Sequence, residues 1–289
     1  WTKEVKGIIK TEKPDVVHFL YGDVFYKYFG LGLEGLKKKY KVINTIHALK
    51  KGKIGIVSLK RVMHLSSIGV VHTDAIFNEV KDAGIENIVH IEYPHFSTGY
   101  DIDKAGARKY YGLSENAFVL GCIGGTRFDK GLDILLKALQ GVTGDFELLI
   151  AGAEDAIKRE KIEELARPYR NRVKPYLNFL TDEEFEMAIQ AVDAIVLPYR
   201  KTFNGASGPL GEGVAKGKMI IAANHGSLGD IVEKNHLGYT FESENIEALK
   251  KVLNMAVQRA GFTYDKKANT YKNKLSINEF KKQYCKLYF

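Results

Sequence analysis

Short apolar segments alternate with longer helical patterns along most of the chain, and this alternation limits the possible folds more than any other feature. The segments rich in β-branched and apolar residues, which we interpret as buried strands, span residues 15–20, 41–47, 68–73, 88–91, 118–123, 146–152, 173–179, 194–198 and 219–223. Alternation with short connections is typical of a parallel sheet covered by helices on both faces. Two such series predict an α/β protein with two doubly wound domains.

Two polar stretches interrupt the helical patterns, and we interpret neither as a helix. Residues 103–112 predict a connection between the two series of strands. Residues 264–273 predict a polar break within a C-terminal tail that is otherwise helical.

Length and composition agree with this interpretation and exclude several other classes of protein. The chain has 289 residues, which fits two domains of ordinary size. Apolar residues make up 45% of it, which excludes an intrinsically disordered chain. Its two cysteines are too few for a disulfide framework or a four-thiolate zinc site. Because the sequence shows no apolar run long enough to span a bilayer and no signal-peptide pattern, we expect a cytoplasmic protein.

The net charge of +8 is concentrated in the first part of the chain. Residues 1–112 carry 18 Lys and Arg against 12 Asp and Glu, with clusters at Lys37–Lys39 and between Lys50 and Arg61. A solubilising surface is one interpretation. The other is a peripheral contact with the anionic inner face of a membrane, where each cation contributes about 1 kcal/mol. The stretch has no recognisable nucleic-acid-binding motif, so we do not expect nucleic acid as a partner.

Two glycine-rich turns follow predicted strands of the second series and are candidates for phosphate binding. The first, at residues 121–131, contains Gly124, Gly125, Arg127 and Lys130 just before a helix. Glycines let the backbone approach an anion, and the free N–H groups at a helix start point toward it. The turn matches neither the P-loop nor the dinucleotide fingerprint. A tight turn with two surface cations is the structural alternative.

The second turn begins at Asn204 and leads into a helix that contains Glu212. Its small residues leave the backbone open to a phosphate or a sugar, and the turn continues through Gly205, Ala206, Ser207, Gly208, Pro209 and Leu210. The carboxylate of Glu212 has the chemistry to accept two hydrogen bonds from a ribose diol, as acidic residues do in dinucleotide folds. An exposed helical Glu is the structural alternative.

The order of these motifs resembles the nucleotide-binding domain of GT-B glycosyltransferases of family GT4, from about Phe118 to Phe241. The matching segments are residues 118–131, 149–152, 179–185, 191–198, 204–212, 215–222, 226–232 and 237–241. The first part is more loosely similar to the acceptor domain of the family, through residues 13–18, 42–47 and 70–73. The resemblance implies the GT-B fold, in which two Rossmann-like doubly wound domains face each other across a cleft. The first domain is incomplete here, since the first strands of the family have no counterpart.

The resemblance implies a division of the chain into three segments. Residues 1–103 are a partial N-terminal acceptor-binding Rossmann-like domain, and residues 104–262 are a nucleotide-sugar-binding Rossmann-like domain. Residues 263–289 are a C-terminal helical segment that crosses back to the first domain. We expect that further residues precede Trp1 in the natural protein.

The resemblance also implies roles for individual residues. Arg127 and Lys130 stabilise the leaving diphosphate, and His47 lies at the reaction centre. The donor is expected to contact Gly124, Gly125, Leu180, Asn204, Gly205, Ala206, Ser207, Gly208, Pro209, Leu210 and Glu212. Two positions depart from the family: Asn204 replaces the first of two Glu separated by seven residues, and Arg127 stands three rather than five residues before Lys130. The base is expected to meet backbone groups near residues 179–182.

The implied reaction is retaining transfer of a sugar from a UDP- or GDP-sugar to a hydroxyl of a glycan or lipid-linked acceptor. Its implied setting is cell-surface polysaccharide or glycolipid synthesis. We expect no metal ion and no cofactor besides the donor substrate, because no Asp-x-Asp motif follows a predicted strand. Two alternatives stay open: a nucleotide-sugar-binding partner or inactive homologue without transferase activity, and a nucleotide-sugar epimerase. An epimerase needs acid–base carboxylates in the cleft, of which the predicted loops offer few.

Overall fold

Two parallel β-sheets, each in its own compact unit, make up the protein. The computed structural model describes residues 2–50, 52–96, 100, 102–203, 205–259 and 261–289. The first unit comprises Trp1–Tyr93, Asn204–Ala206 and Phe280–Phe289, and the second comprises Pro94–Phe203 and Ser207–Glu279.

The helices and strands are numbered here in chain order. The strands are β1 (Val16–Phe19), β2 (Lys41–Ile46), β3 (Ile68–Val71), β4 (Ile88–His90), β5 (Phe118–Ile123), β6 (Phe146–Ala151), β7 (Val173–Tyr176), β8 (Ala194–Leu197), β9 (Met219–Ala223) and β10 (Gly238–Phe241). The α-helices are α1 (Thr2–Glu12), α2 (Lys53–His64), α3 (Asp74–Asp82), α4 (Lys104–Tyr110), α5 (Leu132–Leu139), α6 (Arg159–Ala166), α7 (Asp182–Ala191), α8 (Gly208–Ala215), α9 (Gly226–Lys234), α10 (Ile246–Gln258), α11 (Lys266–Lys274) and α12 (Ile277–Tyr288). Short 3₁₀ helices span Gly22–Tyr28, Leu36–Lys38, Phe128–Lys130 and Arg167–Arg172.

The sheet of the first unit has four parallel strands in the order β1-β2-β3-β4. Its strands are short and mostly apolar, as is typical of a parallel sheet covered on both faces. Tyr284 of α12 is buried in the same cluster as Ile43 of β2 and Val70 of β3. The C-terminal helix therefore contributes to the core of the first unit.

The sheet of the second unit has six parallel strands in the order β10-β9-β8-β5-β6-β7. Alternate residues of β5 point to opposite faces. Val119 and Ile123 pack in one apolar cluster, and Leu120 and Cys122 pack in the other. The strand order reverses between β5 and β8, and open sheets of this kind bind ligands beyond the carboxyl ends of the strands at such a reversal.

The predicted α/β class with two parallel sheets is confirmed, whereas two predictions about the connecting segments are wrong. Residues 103–112 contain helix α4, and residues 264–273 lie largely in helix α11. Asp103 accepts a hydrogen bond from the Gly106 N–H (2.7 Å), and Asp265 accepts one from the Ala268 N–H (2.8 Å). Each helix is thus capped at its start but buries only two residues, so its apolar periodicity is hard to see.

Candidate functional site

The glycine turn after β5 leads into the loop that is best suited to bind an anion. Gly124 has a φ of 107°, and a Cβ atom placed on it would lie 2.5 Å from the Lys130 ammonium nitrogen. Any other residue would strain the backbone at this φ, and its Cβ would displace the ammonium group from its position beside the turn. Gly125 follows with a half-buried backbone. The structure thus places the Lys130 ammonium beside Gly124, and Gly125 is the next residue of the turn.

Lys130 lies at the end of this turn with its charge partly removed from water. Its ammonium lies 5.8 Å from the centroid of the Tyr199 ring. Burial is the main cause that lowers the pKa of Lys130, and the nearby Arg127 lowers it further. Among the residues that the structure describes, no carboxylate lies within 4.0 Å of this ammonium. A partly desolvated cation without a close counter-ion favours binding of an anion.

Arg127 is on the same turn but already has an anionic partner. Its Nε donates to Asp129 Oδ1 (2.9 Å), and its Nη2 donates to Asp129 Oδ2. The Asp129 carboxylate is the main cause that raises the pKa of Arg127. The Arg127 side chain is half exposed, so it is accessible to a ligand. A bound diphosphate would have to compete with Asp129 for the guanidinium group.

Arg200 holds the same turn in place through contacts with Phe128 and Asp133. The sequence analysis did not predict a role for it. Its Nη1 donates to the Phe128 carbonyl (2.5 Å), and its Nη2 donates to both oxygens of Asp133 (2.9 and 2.8 Å). Its guanidinium carbon lies 3.9 Å from the centroid of the Phe128 ring. The side chain is 10% exposed, so these are buried charge-assisted contacts. The only signal in the sequence was its position just after a predicted strand.

The second glycine-rich turn follows β8 and starts α8. Ser207 caps this helix, because its Oγ accepts a hydrogen bond from the Leu210 N–H (3.4 Å) and lies 3.2 Å from the Tyr199 Oη. Gly208 begins the helix, and Pro209 and Leu210 are buried. The side chains of Pro209 and Leu210 therefore pack in the core, and only backbone atoms near this helix start are suited to a ligand.

Two other predicted donor residues of this turn, Gly205 and Ala206, do not belong to the same unit as Ser207. Gly205 and Ala206 belong to the first unit, although Ser207 begins the next segment of the second. Asn204 lies outside the described residues.

Glu212 lies in the second turn of α8 and is half-buried. Its Oε1 accepts a hydrogen bond from the Phe96 N–H (2.5 Å). Burial is the main cause that raises the pKa of Glu212, and the carboxylate of Glu186 raises it further. Within the described part of the chain the second oxygen, Oε2, accepts no hydrogen bond, and it is the atom suited to accept from a ribose hydroxyl.

The loop after β7 holds Leu180 and ends in a strong helix cap. Leu180 packs partly against the apolar cluster of the sheet, whereas the neighbouring Phe179 is 86% exposed. Thr181 and Glu184 form a reciprocal capping box at the start of α7. The cap fixes the backbone near residues 179–182, where the nucleobase of the donor is expected to bind.

His47 follows β2 and belongs to the first unit, whereas Arg127 and Lys130, the other predicted catalytic residues, belong to the second. Its Nε2 lies 2.8 Å from the Leu20 carbonyl, which only accepts, so Nε2 carries the proton. Nδ1 is then the ring atom that can accept a hydrogen bond when it carries no proton. The ring stacks on Tyr21 (4.9 Å between centroids, 25° between planes), and the His47 N–H donates to the Asp23 carboxylate (3.1 Å).

Neither a metal-binding cluster nor a membrane-spanning helix occurs in the part of the chain that the structure describes. Among these residues, no group of three or more His, Cys, Asp or Glu is arranged to hold a metal ion. None of the described helices has the length and apolarity needed to cross a membrane.

Comparison with known proteins gives a family match within the second unit. Residues 117–258 match the family model "Glycosyl transferases group 1", and this matched segment is here called the group 1 domain. A glycogen synthase from Xanthomonas axonopodis pv. citri (strain 306) is 28% identical over 168 residues, which cover 56% of this chain and 35% of that protein. The chain thus spans about a third of the length of this curated relative.

Solved structures show the fold of the whole chain. A sucrose-phosphate synthase from Thermosynechococcus elongatus superposes with a TM-score of 0.79 at 16% identity, covering 99% of this chain and 76% of that one. HepE from Anabaena, solved in complex with UDP, superposes with a TM-score of 0.76 at 16% identity, covering 98% and 80%. The group 1 domain is therefore part of a GT-B protein, as the sequence predicted.

Proposed function

We propose that this protein transfers a glycosyl group from a nucleoside diphosphate sugar to a hydroxyl group of an acceptor. The observation that carries the proposal is the desolvated ammonium of Lys130 beside Gly124, at the point where the strand order of the group 1 domain reverses. Such reversals are the usual ligand sites of open parallel sheets. The presence of UDP in the HepE structure supports a nucleotide as the ligand.

The chemistry follows from the charges on this turn. As the bond between the sugar C1 and the diphosphate oxygen breaks, the leaving oxygen takes the electron pair and becomes more negative. Lys130, the N–H groups of the turn and Arg127, once released from Asp129, stabilise this charge. The acceptor oxygen forms the new bond to C1 and gives up its proton, which the departing diphosphate accepts.

We further propose that the reaction retains the anomeric configuration and needs no metal ion. Retention follows if the acceptor attacks from the face that the diphosphate leaves, so that no carboxylate nucleophile is needed. Two side-chain cations at the turn provide the charge that a metal ion would otherwise supply. Product NMR should therefore show the donor configuration, and EDTA should change the rate by less than about twofold. An inverted product or an EDTA-sensitive rate contradicts these points.

Calorimetric titration with UDP, GDP and ADP is the experiment that tests the donor site. We expect one nucleotide to bind, and Lys130→Met to weaken its binding by about tenfold or more. Glu212→Gln should weaken nucleotide binding but leave pyrophosphate binding unchanged, since Glu212 is assigned to the ribose. Lys137→Met, an exposed lysine on α5 of the same unit, is the matched control. Binding that is unchanged in Lys130→Met contradicts the proposed site.

A nucleotide-sugar-binding protein without transferase activity is the second candidate, and Asn204 favours it. An amide at this position hydrogen-bonds a sugar but lacks the charge of the Glu found in the family. Turnover that appears only in Asn204→Glu supports the binding protein, whereas turnover in the natural sequence supports the enzyme. An epimer of the donor that forms without acceptor would instead indicate an epimerase.

The first unit has a surface suited to an anionic membrane, which we propose as the place where a lipid-linked acceptor is met. Residues 20–64 carry ten Lys and Arg against two acidic residues. Between these cations, apolar side chains are exposed at Val24, Tyr28, Leu31, Ile54 and Val57. The Ser58 hydroxyl donates to the Tyr26 carbonyl (2.7 Å), so α2 and the 3₁₀ segment lie side by side. Exposed apolar groups among cations are typical of interfacial membrane binding.

Sedimentation with phosphatidylglycerol vesicles tests this surface. Replacing Lys37, Lys38 and Lys39 by Glu should abolish binding, because the local charge changes by six units. Replacing Lys266, Lys267 and Lys274 of α11 by Glu makes the same change of charge in the second unit and should leave binding intact. Equal partition of the two triple variants contradicts the proposed surface.

A further inference from the structure

The second unit contains a cavity of about 550 Å³ that no part of the proposed reaction uses. It opens where three neighbouring strands of the sheet begin. Residues 117 and 118 lie at the start of β5, residues 192 and 193 precede β8, and residues 217 and 218 precede β9. A cavity of this size accommodates a small organic molecule.

The cavity and the candidate nucleotide loops lie at opposite edges of the same sheet. Because all strands of this sheet are parallel, their amino ends share one edge and their carboxyl ends share the other. Four to six residues of strand separate the edges, which corresponds to about 15 Å. A ligand in the cavity therefore does not overlap a nucleotide bound at Lys130.

Two cations of the cavity, Lys104 and Arg108, share a single close carboxylate. Lys104 Nζ lies 2.5 Å from Asp193 Oδ1, and Arg108 Nη2 lies 2.6 Å from Asp193 Oδ2. The Val119 N–H also donates to Asp193 Oδ2 (2.7 Å). Both oxygens of Asp193 are thus occupied, and one negative charge faces several positive ones.

Lys218 is a buried cation of the cavity, whereas Arg259, another cation of the lining, is exposed. Lys218 is 9% exposed, and its ammonium donates to the Gln190 carbonyl (2.9 Å). Within the described residues, no carboxylate lies within 4.0 Å of this ammonium. The pKa of Lys218 is lowered to about 8, mainly by burial. The positive charges of Lys104, Arg108 and Lys216 also lower this pKa, whereas the carboxylate of Asp193 raises it. The interior of the cavity therefore has an excess of positive charge.

Apolar surface lies next to these cations. The cavity lining includes Phe118 and Phe262, and the guanidinium of Arg259 lies 5.4 Å from the centroid of the Phe262 ring. The acids Glu115 and Asp145 also belong to the lining, but within the described residues neither forms an ion pair with Lys104, Arg108 or Lys218. A ligand with an anionic end and a small carbon skeleton matches this lining.

We infer that this cavity binds a small organic phosphate, whose phosphate group is held by Lys104 and Lys218 and whose carbon skeleton lies along Phe118 and Phe262. Phosphate supplies the negative charge that the cluster lacks and has oxygens for several donors at once. The ligand is distinct from the nucleotide, and its binding does not depend on the proposed transferase activity.

Calorimetry with glycerol 3-phosphate, inorganic phosphate and glycerol tests this inference on the full chain. We expect glycerol 3-phosphate to bind more tightly than phosphate, glycerol not to bind, and saturating UDP to leave the titration unchanged. Lys218→Met should weaken the affinity by about tenfold, and Lys137→Met should not. Circular dichroism shows whether each variant is folded.

A second variant keeps the test sharp if Lys218→Met does not fold. Lys104→Gln removes an exposed cation of the same cavity and should also weaken glycerol 3-phosphate binding by about tenfold. Absence of binding by both phosphates, displacement by UDP, or unchanged affinity in the folded variants overturns the inference. Equal affinity for the two phosphates overturns the organic skeleton as part of the ligand.

Discussion

At the scale of single residues, Lys130 and Arg127 carry the same charge but have different surroundings. Lys130 is desolvated and has no close carboxylate in the described part of the chain, whereas Arg127 is half exposed and bidentate to Asp129. A ligand gains the full attraction of Lys130. It gains from Arg127 only what remains after the ion pair with Asp129 is broken.

This difference predicts that Asp129 limits nucleotide affinity. Asp129→Asn should tighten UDP binding several-fold, because it frees Arg127 and removes a negative charge beside the diphosphate. Calorimetry measures the change, and Glu163→Gln on α6 removes an exposed charge elsewhere in the unit as the control. Weaker binding in Asp129→Asn would show that the ion pair positions Arg127 for the ligand instead of competing with it.

Arg200 predicts a loss of stability that sequence alone does not suggest. Arg200→Lys keeps the charge but loses the planar contact on Phe128 and the two bonds to Asp133. We expect a loss of about 2–4 kcal/mol in the free energy of unfolding, because the half-buried carboxylate of Asp133 loses its bidentate partner. Urea denaturation gives the value. Arg127→Lys, in an exposed pair, should cost less than about 1 kcal/mol.

At the scale of helices and strands, the predicted strands agree well with the structure because a buried parallel strand is a short run of apolar residues. Helix α2 was not predicted. Its buried positions have helical spacing, but they include Gly55 and Ser58, and its exposed positions include Ile54 and Val57. Apolar residues therefore occur on both faces, and the pattern is hidden. Exposed apolar residues on a helix thus weaken the amphipathic pattern by which the helix would be predicted.

The same reasoning applies to the candidate site. The glycine turn and Lys130 were predictable, since glycine and charge can be seen in the letters of the sequence. The roles of Arg200 and of the Phe96 N–H at Glu212 were not, because these contacts join segments 67 and 116 residues apart. Long-range contacts of this kind depend on the strand order, which one sequence does not determine.

Helix α7 allows a test of how the loop after β7 is held. Thr181→Ala removes the side chain that accepts the Glu184 N–H, so we expect a loss of about 1 kcal/mol in unfolding free energy. Hydrogen bonds from Tyr176, the Thr181 N–H and Tyr110 lower the pKa of Glu184 to about 2. Its contribution is therefore present above pH 4.5 and is lost as the pH falls toward 2. Thr270→Ala on α11 is the control, and an equal loss in both variants contradicts the role of the cap.

At the scale of the whole molecule, two buried histidines of the first unit bear on how the fold responds to acid. His18 and His72 both lie in the first unit, and burial lowers the pKa of each to about 4. His72 Nδ1 donates to the Ile91 carbonyl (2.8 Å), and both nitrogens of His18 have hydroxyl partners at 2.8 Å. Both rings are thus neutral and bonded in the folded first unit.

The sign of the pH effect follows from these values. An unfolded histidine binds a proton near pH 6.5, whereas these two bind one only near pH 4 in the folded state. The unfolded state therefore binds more protons in this interval, and stability that is full above pH 6.5 is lost as the pH falls toward 4. For His72 the loss is on the order of 3 kcal/mol, and for the less buried His18 it is smaller.

We therefore expect acid to open the first unit before the second. Limited proteolysis at pH 7, 5.5 and 4.5, read by mass spectrometry, should show cleavage appearing first within residues 2–93 as the pH falls. In urea denaturation, His72→Gln should flatten the pH dependence between 6.5 and 4.5, because the group that titrates is gone while a donor remains for the Ile91 carbonyl. His64→Gln, an exposed histidine at the end of α2, should leave the pH dependence unchanged. First cleavage in the group 1 domain, or the same slope in His72→Gln, would show that the buried histidines do not set the acid limit of this fold.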